Sequence, residues 1–125
     1  MNKTFAFAAL LACLTFAGCT TKPLLDLPDV AVTSQHTPEE VRLAIIAAAT
    51  TLGWQTKDVE PGLLRATLHL RTHTAESDIA YSATKYSITY VGSTDLDYKD
   101  GKIHGNYNRW IANLSQAIQA QLNSK

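Results

Sequence analysis

The chain has 125 residues, enough for one domain with a single core. Eleven basic and eleven acidic side chains cancel, which excludes the electrostatic footprint of a nucleic-acid binder. Apolar residues make up 46% of the chain, ordinary for a globular protein, and no mature run is long enough to span a bilayer as a helix.

The first element is an export signal. Lys3 supplies one positive charge, and the uncharged apolar run "FAFAALLACLTFAG" follows it. This layout marks residues 1–18 as a segment to be removed rather than folded. A hydrophobic first helix of the domain is the bland alternative. It is disfavoured because the run is apolar on every side and leads into a polar, Pro-containing stretch.

The run ends in "FAGC". Ala17 and Gly18 are a small-residue pair ahead of Cys19, and this resembles the lipobox of bacterial lipoproteins, with Phe16 in place of the usual Leu. The resemblance implies cleavage before Cys19, a thioether-linked diacylglycerol on its sulfur and an acylated amino terminus. Cys13 then leaves with the signal. Each buried methylene contributes about 0.8 kcal/mol, so two or more chains anchor durably where one binds marginally. Residue 20 is Thr rather than the Asp that the family associates with inner-membrane retention. The expectation is therefore a lipid anchor at the periplasmic face of the outer membrane. Ordinary signal cleavage, giving a secreted or free periplasmic domain without lipid, is the alternative.

Residues 19–29 read as the lipidated Cys and a linker. Pro23 and Pro28 block regular structure, and nothing in "TTKPLLDLPD" is periodic. Fully extended, ten residues reach about 33 Å. Leu24, Leu25 and Leu27 are apolar enough to pin the stretch to the domain instead. The domain proper is expected over 30–125.

"VAVT" at 30–33 reads as a short strand, and a helix is predicted over 38–52. Thr37 suits the N-cap, Pro38 the first helical position and Glu40 the third position of a capping box. Glu39 and Glu40 lie at the favourable end of the helix dipole. Val41, Ala44, Ile45, Ala48 and Leu52 form one apolar stripe, and Gly53 suits the stop. Pro61-Gly62 predicts a type II turn between two strands. Leu64, Ala66, Leu68 and Leu70 then alternate with polar residues, as do Ser77, Ile79 and Tyr81, and Tyr86, Ile88 and Tyr90. A two-residue turn at Thr72-His73 places Leu68 opposite Ser77 and Ala66 opposite Ile79. Longer loops of the same parity shift the partners by two.

"GSTDLDYKDGKIHG" is turn-rich, with a tight turn at Asp100-Gly101 and with Leu96, Tyr98 and Ile103 dipping to the core. Asn106 is the expected cap of a final helix over 107–122. Its apolar face is Tyr107, Ile111, Leu114, Ile118 and Leu122, widened by Trp110 and Ala117. The predicted fold is α+β. It is a two-layer sandwich, an antiparallel sheet of about four strands with both amphipathic helices on one face.

"IHGNYNRWIANL" near the C-terminus, with the aromatic strand "YSITY", resembles small lipoproteins of Gram-negative bacteria that share an I-H-x-N-Y-N-R-W-I-x-N-L ending. The likeness spans most of the mature domain. It implies a shared α+β fold and carries no activity. On physical grounds, Tyr107, Trp110 and Ile111 dock the helix. Asn106 and Asn108 bond backbone around its start, and Arg109 reaches Asp95 or Asp97. The functional reading of the same stretch is a polar binding pocket made by His104, Asn106, Asn108 and Arg109.

Other chemistry finds little footing. His69 and His73 flank Arg71 and lack the carboxylate-histidine spacing of zinc proteases, so no metal or cofactor is expected. Asp95, Asp97 and Asp100 lack the EF-hand order. There is no G-x-S-x-G elbow and no Gly-rich phosphate loop. On the exposed sheet face, Arg65, His69, Arg71, Glu76, Asp78 and Lys85 mix both signs, as cross-strand pairing requires. The expectation is a non-catalytic, membrane-anchored binding or envelope-assembly module with an envelope protein partner. The alternative is a small periplasmic enzyme with a pocket near His104 and Arg109.

Overall fold

A computed structural model describes residues 20–124. The expected signal segment and Cys19 lie outside the described residues. In chain order the elements are β1 (Thr21–Pro23), β2 (Leu27–Ala31), α1 (Pro38–Thr51), β3 (Gln55–Glu60), β4 (Leu63–Leu70), β5 (His73–Tyr81), β6 (Lys85–Thr94), β7 (Lys102–His104) and α2 (Gly105–Asn123). The fold is α+β. One antiparallel sheet has the order β2-β6-β5-β4-β3, and a separate antiparallel ribbon pairs β1 with β7.

Five strands stand where about four were expected: the strand expected at 30–33 is the edge strand β2, which begins earlier, inside the stretch read as a linker, while β1 in that stretch joins the separate ribbon. Residues 21–23 and 27–31 are strands, and Leu24, Leu25 and Leu27 pack against the core. The two prolines do not prevent this. Pro23 ends β1, and Pro28 lies in a bulged stretch of the edge strand β2, where a missing N–H breaks no ladder.

Helix α1 begins as its local chemistry dictates. The Thr37 hydroxyl accepts from Glu40 N–H at 3.2 Å, and Glu40 reaches back to Thr37 N–H, completing the capping box. Gly62 at φ +85° supplies the left-handed residue of the Pro61-Gly62 turn. Leu64, Ala66 and Leu68 alternate with exposed or half-buried polar side chains, and Ala75, Ser77, Ile79, Tyr86 and Ile88 continue the same buried face. Leu70 is 46% exposed, because β4 ends there at the rim.

The β4–β5 register differs from expectation by two residues. Leu70 pairs with His73, so Arg71 and Thr72 form the turn, Leu68 faces Ala75 and Ala66 faces Ser77. Arg71 takes φ +57° there without being glycine. The parity survives because an odd slip would have exposed the whole apolar row.

α2 covers the buried face of the sheet. Tyr107 Oη lies 2.8 Å from Ser77 Oγ, and Tyr86 Oη lies 2.6 Å from Ser115 Oγ, so every polar atom on this seam is matched. α1 runs antiparallel to α2. Ser34 and His36, just before α1, both reach the carbonyl of Leu122 near the end of α2. The molecule thus has two distinct ends. At one lie the start of α2, the end of α1, the β4–β5 turn and the β1–β7 ribbon. At the other lie the start of α1, the β3–β4 turn and the β5–β6 turn. No helix among the described residues is long and apolar enough to cross a membrane.

Candidate functional site

The four residues expected to form a pocket all lie where α2 begins, and each does something different. α2 starts at Gly105, so the cap is His104 rather than Asn106. Its Nδ1 accepts from Asn106 N–H at 3.1 Å, as a cap serves the second helical amide. Asn106 itself sits half-buried inside the first turn. Asn108 reaches out of the helix to the N-terminal segment. Its Oδ1 accepts from Leu25 N–H at 2.9 Å, and its Nδ2 donates to Pro23 O at 2.8 Å. One amide side chain thereby closes both sides of a backbone step, which is the strand-like use of Asn.

Around this side chain the backbone is also engaged. Gly105 N–H donates to Thr20 O at 3.1 Å, and Leu24 N–H donates to Gly101 O at 2.9 Å. Between them Thr21, Lys22 and Pro23 pair with His104, Ile103 and Lys102. Further on, Asp26 Oδ1 accepts from Tyr90 N–H at 3.2 Å. The result is a clasp, in which the "IHGNYN" stretch grips residues 20–25 from the first described residue onward. The Lys99–Lys102 hairpin that carries β7 turns through Asp100 and Gly101, both at positive φ.

Arg109 stays outside this clasp. It is exposed, and among the described residues it forms no ion pair with Asp95, Asp97 or any other carboxylate. Asp95 instead accepts from the Thr72 hydroxyl, and its carbonyl oxygen lies 2.7 Å from His73 Nδ1. Tyr98, expected in the core, is 47% exposed and stacks on Tyr90 with ring centroids 4.5 Å apart. Of the four expected pocket residues, His104 and Asn108 act together on backbone groups. Asn106 contributes its amide, and Arg109 is not brought in.

A groove of about 770 Å³ lies at the opposite end of the molecule, between the start of α1, the β3–β4 turn and Tyr81. Arg42 spans its floor. The guanidinium holds Asp58 through Nε–Oδ1 at 2.9 Å and Nη2–Oδ2 at 2.7 Å, and Glu39 through Nη1 at 3.1 Å. Asp58 is held below the usual carboxylate range by that fork, and Arg42 is held above its own. No sequence pattern announces the pair, because residues 42 and 58 meet only once α1 lies beside β3. His36 was likewise unremarked, although it sits four residues before Glu40 and its Nδ1 lies 3.2 Å from that carboxylate. The hydrogen bond from His36, with those from Thr37, lowers the Glu40 carboxyl.

Two smaller hollows lie at the clasp end. One, of about 360 Å³, is lined by Thr21, Asp97, Lys99, Asp100 and Lys102. The other, of about 190 Å³, is apolar and lined by Leu52, Trp54, Leu68, Leu70, Trp110 and Asn113. Among the described residues, no three His, Cys, Asp or Glu side chains are grouped to hold a metal ion. No protein-family model matches this chain, and a search of curated proteins gives no match.

Proposed function

We propose that this two-layer sandwich is the folded part of a lipoprotein, moored through diacylglycerol on Cys19 to the periplasmic face of the outer membrane. There it serves as a non-catalytic docking or assembly module for another envelope component. The observation that carries this reading is the clasp. It takes hold of the chain at Thr20, and consecutive Cα atoms are only 3.8 Å apart, so an anchor on Cys19 has no slack. Such a mooring suits a module that must be presented in one orientation. It is poorly suited to a free secreted domain, for which securing the first mature residues has no evident use.

The orientation follows from the two ends. α2 is 19 residues long, about 28 Å, and it leads from the clasp to the far end. The groove around Arg42 and Tyr81 therefore faces the periplasm, where a second envelope component reaches it. The enzyme reading has less support. His104 and Asn108 spend their polar atoms on backbone groups, and Arg109 does not converge with them.

Incorporation of labelled palmitate tests the mooring. The wild-type protein takes up label and pellets with membranes, and Cys19→Ala does neither. A wild-type protein that remains unlabelled, with an unmodified Cys19 by mass spectrometry, overturns the proposal.

A further inference from the structure

The clasp end carries an apolar surface that the clasp itself does not use. Leu52 ends α1 at 39% exposure, Leu70 ends β4 at 46%, and Trp110 lies half-buried in the second turn of α2. Together with Trp54, Leu68 and Asn113 they border the notch of about 190 Å³. These side chains come from three separate elements. They share one end because α1 and α2 run antiparallel and β4 finishes beside both.

Resting on the reading that Cys19 is lipidated, we infer that this end is a membrane-contact surface, with Leu52, Leu70 and Trp110 seated in the phospholipid interface. Three observations select a lipid surface as the occupant. The chain enters the structure at Thr20, at this same end, so the anchor delivers the notch to the bilayer. A tryptophan with one exposed flank is the side chain best matched to a boundary that is apolar on one side and wet on the other. Arg71 follows Leu70 directly and Arg109 precedes Trp110 directly, both exposed, so a cation able to meet lipid phosphates stands one residue from each of two apolar tips.

Charge makes a modest contribution to the contact. Lys22, Arg71, Lys99, Lys102 and Arg109 at this end outnumber Asp95, Asp97 and Asp100 by two. The contact is accordingly shallow, and salt weakens it only in part. It need not be strong. A short tether supplies an effective concentration on the order of millimolar, so even a weak contact is populated once the anchor is in place. With the clasp, it fixes the tilt as well as the distance of the domain, and the Arg42 groove points away from the lipid.

The test uses the lipidated full-length product, purified from membranes and reconstituted in phosphatidylethanolamine–phosphatidylglycerol vesicles. With Cys19 consumed by lipid, Leu70→Cys and Glu60→Cys each carry a unique thiol for an environment-sensitive fluorophore. Leu70 lies one β4 length, about 23 Å, from the turn that holds Glu60. The expected result is that brominated lipids quench the label at Leu70 and leave the label at Glu60 unchanged. Native tryptophan emission is quenched in the unlabelled protein and quenched less in Trp110→Phe, where only the buried Trp54 remains. Silence at both labels, with Cys19 shown by mass spectrometry to carry its lipid, overturns the membrane contact and leaves the mooring standing. Equal quenching at both labels also overturns it, since the domain then has no preferred end. An unmodified Cys19 overturns the mooring and this inference together.

Discussion

Tyr107 shows how one hydroxyl commits a helix to a sheet. Its side chain is fully buried, and its only polar atom meets Ser77, the fully buried hydroxyl of β5. Tyr107→Phe leaves Ser77 Oγ without its partner, which costs about 1–3 kcal/mol in urea unfolding. Tyr107→Phe combined with Ser77→Ala recovers part of that loss, because no buried hydroxyl is then orphaned. The same phenol makes a prediction for alkaline pH. Burial pushes its pKa up to about 12, against the Ser77 hydrogen bond, which pulls it down. The folded state therefore holds the proton more tightly than the unfolded chain does. Its contribution is complete below the ordinary value of 10 and is lost as pH rises from 10 towards 12. A thermal melt series in this range falls more steeply for wild type than for Tyr107→Phe.

At the scale of elements, the capping box decides where α1 starts. Thr37→Ala removes the acceptor for Glu40 N–H and lowers stability by about 1 kcal/mol at neutral pH. Glu40 is the acid-sensitive half of that box. Its depressed carboxyl supports folding above its ordinary 4.5, and that support is lost as pH falls through the lowered value. The stability difference between wild type and Thr37→Ala therefore narrows in acid, as urea midpoints at pH 7 and below pH 4 will show. A gap that stays constant would mean that the Thr37 hydroxyl does not help to hold the Glu40 carboxylate.

This start was legible in the sequence because every participant lies within four residues. The alternating strands were legible in parity for the same reason, since a period of two is a local signal. Register was not, because parity admits every even shift and the choice of Arg71-Thr72 as the turn is made by the packing of Leu68 against Ala75. The cap of α2 was misassigned because imidazole is an uncommon capping group, while Asn106 two residues later is a common one. Pro23 hid β1, and Pro28 hid the first residues of β2, whose end was expected at 30–33. The clasp was hidden by distance, for Asn108 and Leu25 are 83 residues apart, and nothing local to either announces the other. Of the four residues expected to bind, His104 and Asn108 meet the protein's own backbone, and Arg109 stands apart from them.

For the molecule as a whole, the clasp and the proposed anchor make opposite demands on residue 20. On the mooring proposal sorting machinery reads its side chain, while the fold uses only its carbonyl, which accepts from Gly105 N–H. The exposed Thr20 side chain is therefore free to be changed without touching the clasp. On the mooring proposal, Thr20→Asp shifts the protein to the inner membrane in density-gradient fractionation while its melting temperature stays put. The clasp itself is tested by proteolysis. A lipoprotein on a flexible tether is cut free readily, whereas here residues 21–23 pair with β7 and Asn108 holds Pro23 and Leu25, so the segment resists. Asn108→Ala removes two hydrogen bonds, each with a net value of about 1 kcal/mol, so the opened tether becomes about thirtyfold more populated. When opening is fast relative to cleavage, the rate follows that population. Proteinase K should then release the Asn108→Ala domain from vesicles about thirtyfold faster than wild type. The core, which α2 still covers, is degraded no faster. Equal release rates would mean that the segment is loose in both proteins, and that the domain hangs from the membrane rather than being held against it.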